Sequence, residues 1–320
     1  MQERLANGIK RMLNERYGLE GASVSPQKGG WAALAFRVTA GGRSYFLKAY
    51  EKSRTSTPKW TAPIDAYAPI LLWLSRHTGL HGKVPVPLTT ADGAFKCDDE
   101  HAVYMLYDYI DGETIGDNGL TGEQIRELAE IVAELHGYGG RLPVATDAIA
   151  ERFDAPFVRQ LRDASNRRLR DVPADVAELI GSYARQIGDA TDAVETLSAR
   201  LKESDLRLAL CHTDIHNWNL MRTERRLMLI DWEGLKLAPV EADMMFFADK
   251  PYFADFLSVY RKRHERYEID PDAMRFYKMR RVLEDAWEFV AQLVYDGQDA
   301  EEREATMIGL EKELDSLSKL

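Results

Sequence analysis

Hydrophobic and polar positions along the chain change their period near residue 110, and that change divides the molecule. In residues 1–17, Leu5, Ile9, Met12 and Leu13 recur at helical spacing and predict an amphipathic helix. Gly29-Gly30 then reads as a turn entering a strand through Val38. Ala40-Gly41-Gly42-Arg43 is a hairpin signal, and Ser44–Tyr50 is the returning strand. A helix is expected over Ala62–Arg76, carrying Ile70, Leu71, Leu72 and Trp73, and a strand over Ala102–Tyr109. From Thr121 onward the period is mostly helical. Thr121 and Gln124 form a capping-box pattern for a helix reaching His136. Further helices are expected over roughly 153–168, 174–203, 252–266, 272–296 and 299–319. One strand–loop–strand stretch, from Leu208 to Asp231, interrupts them. The expected fold is therefore α+β, with a small antiparallel-sheet lobe over 1–109, a larger and mostly helical lobe over 110–320, and a cleft between.

Composition narrows the class. The 320 residues are 45% hydrophobic and 29% charged, which is typical of a globular protein with a sizeable core. No apolar run approaches the roughly 20 residues of a membrane span. The mixed segment Met1–Arg16 does not read as a signal peptide. Two cysteines, Cys97 and Cys211, make no disulfide framework and fit a reducing cytoplasm. The formal net charge of -10 argues against nucleic acid as a partner. It suits a cationic small molecule, and equally a surface kept in solution by its carboxylates.

The interruption carries the chemistry. It reads Leu210-Cys211-His212-Thr213-Asp214-Ile215-His216-Asn217-Trp218-Asn219, followed by Ile230-Asp231-Trp232-Glu233. Two short strands joined by the turn at Glu224-Arg225-Arg226 would bring Asp214, Asn219 and Asp231 together. A carboxylate to orient a hydroxyl, with an amide and a second carboxylate to hold Mg²⁺, is what phosphoryl transfer requires. His212, two places before Asp214, suits a side chain that pins the loop. His216 is open to contacting nucleotide, substrate or neighbouring backbone. Cys211 reads as a small apolar filler closing a buried strand. Lys48 lies in a strand that is otherwise apolar or aromatic, on the same face as Phe46. A charge so placed is costly to desolvate unless it meets an anion, and a triphosphate is such an anion.

With these residues in order, the chain resembles the aminoglycoside phosphotransferase and choline kinase family, the small-molecule branch of the protein-kinase-like fold. The segments Leu210–His216 and Ile230–Gly234, with Leu237–Phe246 after them, most resemble spectinomycin phosphotransferases. The resemblance implies that Asp214 orients or deprotonates an acceptor hydroxyl and that Asn219 and Asp231 bind Mg²⁺. Lys48 would contact the α- and β-phosphates of ATP (or GTP), and Gly29-Gly30 would lie over the triphosphate. The hinge backbone at Asp108 and Ile110 would pair with adenine, and Asp243 would brace the catalytic loop. Thr213 stands where protein kinases have Arg, and Trp232-Glu233 where they have Phe-Gly. Activation-loop phosphorylation and a protein substrate are therefore not expected. The 62–76 helix offers no Glu to pair with Lys48, so Asp65 is the nearest carboxylate of its kind.

The acceptor site matches less directly. Glu284, Asp285, Trp287 and Glu288, together with Glu233, could hold a cationic acceptor by charge and stacking, or form a solvated acidic face. Glu284 and Glu288 would share one helical face while Asp285 and Trp287 lean elsewhere. The expected acceptor is a small, cationic molecule bearing a hydroxyl, with an aminocyclitol such as spectinomycin first. Choline, an amino alcohol, homoserine or a methylthio-sugar comes next. Two other classes remain. A metal-dependent hydrolase would read Cys211, His212, Asp214 and His216 as ligands, but adjacent strand residues point oppositely. A nucleotide-binding module without turnover would account for the missing helix Glu.

Overall fold

The computed structural model describes residues 2–139 and 142–319, with side chains from residue 6 onward. Leu5, expected on the first apolar face, thus lies outside the described side chains. Helix α1 (Gln2–Tyr17) precedes strands β1 (Ser23–Gln27), β2 (Leu34–Ala40) and β3 (Arg43–Glu51). Helices α2 (Thr57–Thr61) and α3 (Ile64–His77) follow, then β4 (Cys97–Asp98) and β5 (Ala102–Asp108). The five strands form one antiparallel sheet in the order β1-β2-β3-β5-β4. Pairing of Ala40 with Arg43 leaves a two-residue loop, Gly41-Gly42, whose φ values of 55° and 76° suit glycine and match the twist of the hairpin. Strand β1 escaped the sequence reading because Ser23-Val24-Ser25-Pro26-Gln27 has no apolar alternation and sits at the sheet edge, where Pro is tolerated.

Beyond the sheet come β6 (Gly112–Thr114), α4 (Gly122–Leu135), α5 (Phe157–Ser165), α6 (Ala174–Ser182) and α7 (Ala184–Lys202). Four short strands follow: β7 (Leu208–Cys211), β8 (Leu220–Thr223), β9 (Leu227–Leu229) and β10 (Lys236–Pro239). The chain ends with α8 (Glu241–Met244), α9 (Phe253–Tyr260), α10 (Pro271–Tyr295) and α11 (Ala300–Ser316). The capping box of Thr121 and Gln124 is present at the start of α4. The single helix expected over 174–203 is two helices that meet at Tyr183. Continuous apolar spacing does not reveal such a break.

This is the two-lobed kinase-like architecture. One apolar cluster fills the sheet lobe (Ile9, Leu13, Val38, Leu47, Tyr104) and another fills the α5–α7/α10–α11 bundle (Leu161, Ile187, Val194, Phe276, Leu283). A third crosses between them, packing Tyr50, Tyr67 and Met105 with Leu220, Leu229 and Trp232. That shared core fixes the sheet carrying Lys48 against the loops carrying Asp214 and Asp231. No helix among the described residues is long and apolar enough to cross a membrane.

Candidate active site

Strand β7 is buried and pairs antiparallel with β10, Cys211 opposite Lys236, so the chain leaving Cys211 emerges at the cleft. There the backbone turns sharply: Thr213 has φ 67°, a conformation that needs outside support in a β-branched residue. Asp243 provides it. Its carboxylate, fully buried, accepts the amide N–H of His212 at 3.0 Å and of Thr213 at 2.6 Å. The same carboxylate meets His136 Nε2 at 3.0 Å, and His136 Nδ1 meets the Tyr260 hydroxyl at 2.9 Å. His136 had no role in the sequence reading. It sits at the end of an ordinary amphipathic helix, and only the fold brings it to the loop.

His212 is the inner pin. Its Nε2 lies 2.9 Å from the Ile230 carbonyl, while its Nδ1 accepts the Asp214 amide N–H at 3.2 Å. Burial pushes its pKa down, so the ring is neutral with the proton on Nε2. It also packs edge-on against Trp232, with ring centroids 4.7 Å apart. The Thr213 hydroxyl donates to the Gly234 carbonyl at 2.8 Å. A Cβ at position 234 would lie 2.5 Å from that hydroxyl oxygen, so the two loops can approach this closely only with glycine there.

Asp214, Asn219 and Asp231 are brought to one side of the cleft by the β8–β9 hairpin, where Ile230 N–H donates to the Asn219 carbonyl at 2.9 Å. Asn219 Nδ2 donates to the Asp214 carbonyl and to its Oδ2, each at 2.9 Å. Asp214 Oδ1 accepts Arg281 Nη1 at 2.7 Å and faces His216 Nε2 at 3.4 Å. Burial would raise the Asp214 pKa, but the His216 contact and the Arg281 charge outweigh it and hold the carboxyl well below the usual range. His216 Nδ1 is buried without a hydrogen-bond partner among the described residues.

Lys48 meets this group from β3. Its ammonium donates to Asp231 Oδ1 at 2.8 Å and also to Glu233. Glu233 further accepts the Tyr50 hydroxyl. Burial works against the lysine charge, yet the two carboxylates raise its pKa well above the ordinary value. One sequence expectation is corrected here. Asp65, at the start of α3, is 63% exposed and pairs with Lys96 at 2.8 Å, so it is not the partner of Lys48. Glu233, expected at the acceptor, accepts from Lys48 and Tyr50 here.

Gly29 and Gly30 lie in the loop joining β1 to β2. The loop reaches the helical lobe twice: Lys28 Nζ lies 5.1 Å from the centre of the Trp218 ring, and Trp31 packs edge-on against Phe289 at 5.5 Å. Asp108 ends β5 and pairs its side chain with Arg43 at 2.9 Å, while Ile110 lies in the segment leading to β6. A cavity of about 430 Å³ lies against this hinge, lined by Leu72, Val84, Val86, Tyr107, Asp108 and Ile110. It includes none of Lys48, Asp214, Asn219 or Asp231, so it backs onto the hinge and is separate from the charged cluster.

The acidic residues of α10 are internally paired. Glu284 accepts Lys59 Nζ from α2 at 2.8 Å, and Glu288 accepts the same ammonium. Asp285 accepts Arg281 Nε at 2.6 Å. Glu284, Glu288 and Asp285 are thus engaged in salt bridges, not freely solvated. Trp287 packs against the helical core, so its ring is engaged with neighbouring helices. The signal for Arg281 was present in the sequence as the Arg-x-x-x-Asp spacing, which reads as an ordinary helical ion pair.

A family model described as the phosphotransferase enzyme family matches residues 23–277. No curated protein sequence matches the chain significantly. Among solved structures, a spectinomycin phosphotransferase in complex with ADP and spectinomycin superposes with a TM-score of 0.68 at 18% identity, covering 98% of this chain and 99% of that one. Choline kinase LicA from Streptococcus pneumoniae gives 0.66 at 16% identity, covering 99% and 100%. A microcompartment-associated aminopropanol kinase gives 0.65 at 14% identity, covering 98% and 96%.

Proposed function

The chain belongs to the phosphotransferase enzyme family, and on that premise we propose that it transfers the γ-phosphoryl group of ATP to a hydroxyl of a small molecule. The observation that carries this reading is the convergence of Asp214, Asn219, Asp231 and Lys48, drawn from three separate elements, in one cleft. Asn219 directs its amide N–H groups at Asp214, which leaves its Oδ1, with the Asp231 carboxylate, as hard oxygen donors of the kind Mg²⁺ takes. Bound there, Mg²⁺ would neutralise charge on the β- and γ-phosphates.

Each protein group then has a place in the reaction. Lys48 leaves Asp231 for the α- and β-phosphates, and Glu233 keeps its ammonium charged and aimed. The loop carrying Gly29-Gly30 covers the triphosphate, the hinge backbone at Asp108 and Ile110 takes the adenine, and His216 Nδ1 faces the nucleotide. Asp214 accepts the hydrogen of the acceptor hydroxyl. As the acceptor oxygen bonds to the γ-phosphorus, the bond to the β-bridging oxygen breaks, its electron pair leaves with ADP, and the proton passes to Asp214. Positioning and charge neutralisation account for most of the acceleration, since the transition state asks little covalent work of the protein. For the acceptor, an amine-bearing alcohol is proposed, an aminocyclitol such as spectinomycin first and a choline-like amino alcohol second. Aminopropanol, choline and spectinomycin, named in the structural neighbours, all carry a hydroxyl and a nitrogen. The buried free thiols Cys97 and Cys211 fit a reducing cytoplasm.

A coupled ADP-release screen over spectinomycin, aminoglycosides, choline and small amino alcohols tests the reading. A change in drug tolerance on expression in bacteria separates antibiotic resistance from metabolism. Asp214→Ala is expected to lower kcat by roughly 10²–10⁴, the usual scale for a lost acid–base group. Near-normal turnover in that variant would overturn the assignment.

A further inference from the structure

Arg281 ties the acceptor helix α10 directly to the loop that carries the proposed base. Its guanidinium is held on three sides: Nη1 on Asp214 Oδ1 at 2.7 Å, Nε on Asp285 Oδ2 at 2.6 Å, and the Phe246 ring centre 5.8 Å from its central carbon. Asp285 is one helical turn further along, so it sets the direction in which the arginine reaches. Arg280, the preceding residue, faces Glu151 and Glu284 instead, with Nη1 3.1 Å from Glu151 Oε2. Only the second arginine of the pair addresses the cleft.

The contact has a chemical consequence. Asn219 occupies Oδ2 of Asp214 and Arg281 occupies Oδ1, so both oxygens carry donors before an acceptor arrives. A carboxylate held this way by two donors is well aimed. Each carboxylate oxygen has two lone pairs, so an approaching hydroxyl competes with Arg281 and with His216 Nε2 for Oδ1. Asp285 lets the guanidinium step aside without becoming an unpaired buried charge.

We infer that Arg281 is a positioning residue of the transfer step, holding Asp214 in its reactive orientation and yielding Oδ1 to the acceptor hydroxyl. In that exchange one hydrogen bond to Oδ1 replaces another. The proton then moves from acceptor oxygen to Asp214 as the oxygen–phosphorus bond forms and ADP leaves. The inference rests on Asp214 being the base, and its test separates the two.

ADP release is measured at saturating Mg·ATP with spectinomycin, choline, aminopropanol or water alone as acceptor, for the wild type, Asp214→Asn, Arg281→Gln and Arg281→Lys. Arg281→Gln should lower kcat roughly 10- to 100-fold, the scale for a partner that aims a reacting group. The KM for ATP should stay within about twofold of wild type, since ATP binding is not what Arg281 supports. Arg281→Lys should restore part of the lost kcat. A kcat for Arg281→Gln within about threefold of wild type overturns the inference while leaving the phosphotransferase reading intact. A fall in thermal stability and ATP binding that matches the fall in kcat also overturns it, assigning Arg281 a purely structural tie. Absence of ADP release from the wild type with every acceptor, or full activity in Asp214→Asn, overturns the underlying reading.

Discussion

Two lysines of the sheet lobe, Lys48 and Lys59, each reach across the cleft to a pair of carboxylates, and the pairs behave differently. Lys48 projects from β3 to Asp231 and Glu233 in the turn after β9; its side chain is 14% exposed and that of Glu233 is 8%. Lys59 projects from the short helix α2 to Glu284 and Glu288 on α10, and its side chain is 40% exposed. The first cluster stands beside the shared core that joins the lobes, flanked by Tyr50 and Tyr107. The second joins α2 to α10, with Thr55 bonded to Asp296 nearby. The comparison sets a cluster whose lysine and Glu233 are nearly buried against one whose lysine is more exposed and more open to screening by salt.

The sharpest break of this contrast is Lys48→Met. It removes the cation proposed to hold the α- and β-phosphates and leaves Glu233 without its ammonium partner. A fall in kcat/KM for ATP of roughly 10²–10³ is expected, as for other groups that stabilise charge in a dry site. Steady-state kinetics with varied ATP would check it, and an unchanged value would move the phosphate site elsewhere. Glu233→Gln should act in the same direction and less strongly, roughly 10-fold, because Asp231 still holds the lysine. If Glu233 served the acceptor instead, its KM for the acceptor would rise while the KM for ATP stayed constant.

The two clusters also differ in how far they could be read from the chain. Asp214, Asn219, Asp231 and Lys48 stand in short segments where a polar residue interrupts an apolar strand, and such interruptions are visible without a fold. The antiparallel sheet and the capping box of α4 were legible for the same reason, as periodicity and local turn chemistry. Glu233 was visible, but its contacts with Lys48 and Tyr50 were not, because the direction of a turn after an αL residue at Asp231 (φ 64°) is a tertiary matter. Asp65 was chosen by proximity along the helix, whereas Lys96 claims it from a loop 31 residues away. The pairing of Lys59 with α10 joins residues 225 and 229 positions apart, and no local pattern carries that information. Arg281 and His136 were hidden in regular helices, where a charged or polar residue has no distinguishing context.

Lys59→Met should have the smallest effect, and its sign under acid is informative. Burial opposes ionisation of Glu284, yet Lys59, then Arg280, hold its pKa down to about 2, against an ordinary value of 4.5. A carboxyl lowered in the folded state stabilises the fold above the ordinary value, and that contribution is lost as pH falls toward the lowered one. Removing Lys59 lets Glu284 protonate at higher pH, so the acid-unfolding midpoint should move up. Lys59 also lowers the Glu288 pKa, although burial keeps it above the ordinary value, so losing the lysine moves both carboxyls in the same direction. The pair is partly exposed, and its worth at neutral pH is expected to be no more than about 1 kcal/mol and to shrink with salt. Acid titration of the fold by circular dichroism, at low and high ionic strength, reads both effects. A salt-independent loss of several kcal/mol would instead place Lys59 in the same class as Lys48, and the contrast between the two lysines would disappear.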